Sequence, residues 1–160
     1  MNATARNLLN HHEAFVDLTA SDKAAAEVAW TIIGPQLPKV IDAFYEHLAR
    51  IRQDRQLIGI DVEALKKKQF AYWEMMFAGN LKGVFEAQSK HIVAKHKARD
   101  IRLSTYLGSY GWYGIRFMAM IEGAEIPEGM TASSIMAAIH KLIVLDMMVA
   151  SDAYDNFTLL

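Results

Sequence analysis

The chain reads as an all-α protein, and three observations predict it. The three prolines, Pro35, Pro38 and Pro127, and most of the early and late glycines fall between periodic segments rather than inside them, which leaves long windows free of helix breakers. Within those windows apolar residues recur at spacings of three and four, as a helix with one buried face requires. No window alternates apolar with polar residues for long enough to make a strand, and the pattern does not repeat internally.

Seven helices follow in order. The first covers about 5–18. The second, about 22–34, follows Thr19-Ala20-Ser21-Asp22, where Ser21 or Thr19 suits the N-cap because its hydroxyl accepts from an unpaired backbone N–H. The third, about 38–53, begins at Pro38, a first-turn residue whose missing N–H would have no partner there anyway. Its Ile41, Phe44, Tyr45, Leu48 and Ile51 form a stripe on one face. The fourth, about 61–78, starts at Asp61 as N-cap and stops at Gly79. The fifth, about 81–97, carries Phe85, Ile92 and His96. The sixth, about 104–122, opens at Ser104, and the seventh, about 131–157, opens at Thr131 after the Pro127/Gly129 turn. The seventh is apolar on two sides, with Ile135, Ile139 and Leu142 on one and Met136, Ile143 and Met147 on another. Such a helix is expected to be buried in its own fold and against something else, most simply a partner chain.

At 160 residues the chain is one domain on ordinary length priors, and its 52% hydrophobic content fills a substantial core. Net charge is −1, and the basic residues are dispersed apart from Lys66-Lys67-Lys68, so no nucleic-acid footprint forms. There is no cysteine, which excludes thiolate metal sites, disulfides and cysteine nucleophiles. The start, MNATARNLLNHHEAF, lacks the apolar run of a secretory signal. The most apolar stretch, Ile135 to Val149, is interrupted by His140, Lys141 and Asp146 and is too short to span a bilayer. A soluble, cytoplasmic protein with neither membrane nor nucleic-acid partner is expected.

Side-chain chemistry narrows quickly. A Gly-rich phosphate loop, an HExxH pair, paired Glu-x-x-His motifs and a recognisable Ser/His/Asp arrangement are all missing. Six histidines remain. His11 and His12 sit in a polar N-terminal region and read as solvated. His91 and His96 are turned by about 140° from one another on a helix, so they cannot clamp one site together. A single neutral imidazole in an apolar cleft suits a haem iron, which already has four macrocycle nitrogens, and not a bare zinc ion. Spacing alone does not decide between a ligand and a structural histidine.

The run Lys68-Gln69-Phe70-Ala71-Tyr72-Trp73-Glu74-Met75-Met76-Phe77-Ala78-Gly79 resembles the stretch of globin-coupled sensors that reads Gln, an aromatic or His-Trp pair, then a hydrophobe-Phe-x-Gly ending. Ile92-Val93-Ala94-Lys95-His96 follows at the family's spacing, and Tyr106-Leu107-Gly108-Ser109-Tyr110 is similar to its aromatic-Gly-x-aromatic opening of the next helix. Phe44-Tyr45-x-x-Leu48 is similar to its second globin helix, and Asp146 to Tyr154 resembles its final one. The ordered set, covering about 21–157, carries the resemblance; no single piece does.

The resemblance implies a globin fold of the three-over-three type, with 1–20 as an extra N-terminal helix and 21–160 as the globin core of a single sensor domain. It implies haem b, His96 as proximal iron ligand, and Tyr45 donating its phenol O–H to O2 on the distal side. Leu65 falls at an apolar distal wall. Phe44, Tyr72 and Trp73, with Ile92, Tyr106 and Tyr110, are expected around the cofactor, and Phe70, Phe77 and Phe85 as lining. Lys68 departs from the small or polar residue usual there, and either snorkels to solvent or a propionate, or enters the distal pocket. Asp100 replaces the family's usual glycine after the proximal helix, which puts that turn in doubt.

The function so implied is a gas sensor, not an enzyme. It binds O2, and also CO or NO, and signals through a homodimer interface on the sixth and seventh helices to a C-terminal output domain. Two alternatives stand beside it. One is a non-haem globin-like dimeric module whose cavity is filled by side chains. The other is a haem oxygenase or dioxygenase, which needs an electron-donor domain or a distal acid–base pair. Gly108, Gly111 and Gly114 are read as permitting close approach of a helix or the haem.

Overall fold

The computed structural model describes residues 3–79, 81 and 84–155, with side chains from residue 9 onward except those of 84–86. Phe85, expected to line the cavity, therefore lies outside the described side chains. Seven α-helices run in the order α1 (Ala3–Phe15), α2 (Ala20–Ile33), α3 (Leu37–Arg50), α4 (Val62–Phe77), α5 (Val84–Lys97), α6 (Leu103–Glu122) and α7 (Ala132–Asp155), with one 3-10 turn at Asp54–Leu57 before α4. No strand occurs among the described residues.

Several helix starts follow directly from local chemistry. Thr19 caps α2 in a reciprocal box: its hydroxyl accepts from the Asp22 N–H at 3.2 Å, and the Asp22 carboxylate accepts from the Thr19 N–H at 2.8 Å. Asp61 caps α4 through the Ala64 N–H at 3.0 Å, and the Thr131 hydroxyl accepts from the Ser134 N–H at 3.0 Å at the start of α7. Pro38 sits in the first turn of α3.

The helix ends are less ordinary. After α4 the chain turns at Gly79, which has φ 65°. The ends of α1, α3 and α5 turn instead at Asp17, Arg52 and Asp100, with φ of 50°, 58° and 56°. Each makes the paired bonds of a Schellman motif; after α5 the Ile101 N–H donates to the His96 carbonyl at 3.0 Å and the Asp100 N–H to the Lys97 carbonyl at 3.0 Å. Asp100 thus keeps the turn expected of a glycine, while bearing the Cβ crowding of the left-handed region.

The core is organised around α7, which packs closely on α2, α5 and α6 and also touches α1 and α4. Ile135, Ile139, Leu142 and Ile143 are all buried within the chain, while Met136 and Met147 are only half-buried against the core. The helix containing Ile135–Val149 is 24 residues long, so it is long and apolar enough by composition to cross a membrane. Its surroundings of other helices are those of a core helix. On the other side α4 packs on α3 and α2. Among the described residues, α4 and α5 are not one of the closely packed pairs.

His12 corrects its sequence reading. It is 5% exposed, and its Nε2 meets the Asp152 carboxylate at 2.7 Å, joining α1 to the end of α7. Its neighbour His11 is exposed.

Candidate functional site

His96 lies in the last turn of α5. Its Nδ1 is 2.8 Å from the Ile92 carbonyl one turn earlier. A carbonyl only accepts, so Nδ1 carries the proton and Nε2 keeps its lone pair. Burial lowers the imidazole pKa below 6.5, outweighing the opposite pull of the Ile92 carbonyl, so the ring is neutral at pH 7. The Schellman turn at Asp100 holds the His96 backbone, and the Tyr106 ring stands edge-on to the imidazole, 4.9 Å between centroids at 85°. A neutral imidazole with a fixed tautomer and a free Nε2 is a metal ligand in waiting.

Tyr45 lies on α3, half-buried, with Phe44 edge-on to it at 5.7 Å. Burial pushes its phenol up to about 12, against a smaller downward pull from Lys66, so the O–H stays protonated and able to donate. No described residue hydrogen-bonds to that hydroxyl. Lys66 holds its ammonium 5.8 Å over the Tyr45 ring and pairs with Asp42 and Glu63, each at 2.8 Å. Lys68 is exposed. Of three consecutive lysines, the one beside Tyr45 is therefore Lys66, which sequence reasoning did not single out. Leu65, its neighbour on α4, is half-buried.

Two further polar atoms near this end of α4 are buried without a hydrogen bond: Gln69 Oε1 and the Tyr113 hydroxyl. The Tyr113 ring packs on Phe44 at 4.9 Å. Burial is the main influence raising its phenol pKa, with the nearby Tyr45 adding to it and Gln69 opposing. Unpartnered buried polar groups carry a cost unless something satisfies them, and here they sit beside a phenol that is also without a partner.

The other predicted aromatics divide. Trp73 and Phe77 belong to a packed aromatic core: Trp73 meets Phe117 at 5.0 Å and Tyr113 at 5.3 Å, and Phe77 stacks on Trp30 at 5.6 Å. Phe70 lies against the same Trp30 at 5.4 Å. Tyr72, Tyr106 and Tyr110 instead gather around Asp146, a carboxylate on α7 with no exposed surface. Tyr72 donates to it at 2.6 Å from α4, Ser89 at 3.3 Å from α5, and Tyr110 donates from α6. Burial pushes Asp146 up to about 6, and the three hydroxyl donors keep it from rising further. The sequence showed Asp146 as an interruption of an apolar run and as part of the final-helix resemblance, without indicating its partners. Its partners lie 74, 57 and 36 residues away and gave no local signal.

Gly108 and Gly111 do not serve close approach within the chain, since a Cβ on either would meet nothing within 4 Å. Gly114 does, with Ile143 at 3.5 Å from such a Cβ.

The all-helical fold, with a neutral histidine, His96, near the end of α5 and a protonated phenol, Tyr45, on α3, is that of the globin class. The protoglobin family profile matches residues 6–157, and the chain belongs to that family. Its fold is similar to that of the globin domain of the Geobacter sulfurreducens globin-coupled sensor, with a TM-score of 0.79 at 14% identity, over 91% of this chain and 96% of that one. No curated protein gives a match. Family membership implies a haem-binding, gas-binding globin, and the residues fit one. A single neutral imidazole could hold an iron already bound by a macrocycle, and a protonated phenol could act as a hydrogen-bond donor there.

Proposed function

We propose that this chain is a haem-based gas-sensing domain spanning 1–160, with His96 as the proximal ligand and Tyr45 as the distal donor. The observation that carries it is the His96 imidazole, neutral and tied through Nδ1 to the Ile92 carbonyl, so that Nε2 alone is offered. The cofactor is haem b, held without thioether bonds, since there is no cysteine to form them. When bound, it supplies a ferrous iron that takes a diatomic gas. The chain's residues do the rest. His96 anchors from one side, Leu65 keeps water from the other, and Tyr45 donates its O–H to a polar ligand. That donation favours O2, onto which electron density shifts, over the less polar CO. This is binding rather than turnover, in a cytoplasmic setting.

Signalling would run through a homodimer to an output domain. α7 keeps Met136 and Met147 half-exposed, and a second supporting feature lies on α6. There Gly108 and Gly111 are exposed with open space over them, and Ile115 is 68% exposed on the same face. Glycine weakens a helix by about 1 kcal/mol relative to alanine, and nothing within the chain uses these two. Close approach of a second α6 would.

The test is the visible absorption of the purified chain, with haem, beside His96→Ala. A Soret band with ferrous–CO and ferrous–O2 forms is expected in the native chain, and loss of stable haem in the variant. No Soret band after reconstitution would leave the non-haem interaction module in its place. Sustained NO or peroxide turnover by the isolated chain would make it an enzyme.

A further inference from the structure

Asp146 is the only buried acidic side chain among the described residues, and no cation is among the groups acting on it. An uncompensated buried charge is strongly unfavourable unless hydrogen bonds offset it. Here three hydroxyls do so, one from each of three helices, and they meet on a fourth. Two of them come from α4 and α5, the helices that carry Leu65 and His96 of the proposed haem site. Tyr72 lies in the last third of α4 and Ser89 in the first half of α5, the ends nearest the link between those helices.

The third donor has a direction. Tyr110 gives its only proton to Asp146, so towards Tyr106 it can only accept. The Tyr106 hydroxyl, 3.0 Å away, therefore donates to Tyr110. The chain runs one way, from Tyr106 to Tyr110 to Asp146, and its polarity is set by the carboxylate at its end. Tyr106 is the ring that stands edge-on against His96. The imidazole is thus fixed twice, at Nδ1 by the Ile92 carbonyl and on its flank by a tyrosine that Asp146 holds in place.

We propose that Asp146 is a positioning residue for His96: through Tyr110 and Tyr106 it sets the plane in which the imidazole presents Nε2, while through Tyr72 and Ser89 it pins α4 to α5. The proposal rests on the reading of His96 as the haem ligand. It makes α7 sensitive to the state of the proximal histidine along hydrogen bonds rather than through packing alone.

Two variants test it. Asp146→Asn keeps the shape but removes the charge, and Tyr106→Phe keeps the ring and Asp146 but cuts the chain. In the full-length haem-free chain, both are expected to shift the His96 imidazole nitrogen resonances in NMR spectra. In the ferrous haem-loaded chain, both are expected to move the iron–histidine stretching band in the same direction. The double variant should go no further than the larger single one, because the two residues act in series. Tyr72→Phe, which removes a donor outside the chain, should leave the band in place. Folded variants with native His96 resonances and an unmoved band, or effects that simply add, would overturn the proposal. If Asp146→Asn does not fold, Tyr106→Phe decides alone by the same two readouts. A native chain that takes up no haem would refute the cofactor reading, and the haem-free resonances would still decide whether Asp146 positions His96.

Discussion

Replacing Tyr45 with phenylalanine isolates one O–H group. The ring stays, so its edge contact with Phe44 at 5.7 Å and the Lys66 ammonium at 5.8 Å stay with it. The hydroxyl has no hydrogen bond to any described residue, so its loss breaks nothing in the folded chain, and stability should change by less than about 0.5 kcal/mol. What disappears is a donor to the bound gas. A hydrogen bond of this kind has a net worth of about 1–2 kcal/mol, or about 5–30-fold in an equilibrium constant. Expressed in dissociation, Tyr45→Phe should release O2 about 5–30 times faster. CO, with little negative charge to receive a donor, should change by less than about threefold. Stopped-flow displacement of O2 by CO, flash photolysis of the CO form and a thermal melt of the same sample measure all three. Equal effects on the two gases would refute a donor role. A melt lowered by several degrees would show that the hydroxyl is instead a structural bond, and the site would need another distal group.

Three further outcomes follow from other features. Asp100→Gly should stabilise the chain by about 1 kcal/mol, by relieving Cβ crowding at φ 56°. That is a rise of about 2–4 °C in the melt, and a fall would show that the Asp100 side chain earns its place. Asp146 is raised from 3.8 to about 6, so it binds a proton in the folded state over a range where the unfolded chain has lost it. Stability from this group therefore falls as pH rises from about 4 to about 6, by on the order of 3 kcal/mol, and is level above. Urea melts across that window should show a component of this sign in the native haem-free chain that Asp146→Asn lacks; a component of opposite sign would mean the folded-state pKa is depressed. Ile115→Glu should convert a dimer to a monomer in sedimentation while leaving the haem spectrum unchanged. An unaltered dimer would move the interface off this face of α6.

Much of the fold was legible because helix starts are written locally. Thr19, Asp61 and Thr131 each cap within three residues of themselves, and Pro38 marks α3. Helix ends were harder to place. Asp17, Arg52 and Asp100 adopt a conformation that sequence assigns to glycine, so α1 and α3 ended earlier than the apolar pattern suggested. The 3-10 turn at Asp54–Leu57 has no periodicity to reveal it. The ordered set of motifs singles out His96 and Tyr45 as candidates, but says nothing of their surroundings. His12 finds its acid 140 residues away. A run of three lysines does not say which reaches Tyr45, since successive residues on a helix turn about 100° apart. Asp146 needed four helices to assemble before its environment existed at all.

The central place of α7 bears on how this chain reaches its native state. The earliest helices do not complete their burial with one another: α2 rests its apolar face largely on α7, and α1 is tied to it by His12 and Asp152. Contacts that far apart along the polypeptide raise the contact order above that of a bundle whose neighbours pair in succession. During synthesis the first half must therefore wait, with its greasy surfaces provisional, for a segment made more than a hundred residues later. Acquisition of structure should be a late and concerted event rather than helix-by-helix growth.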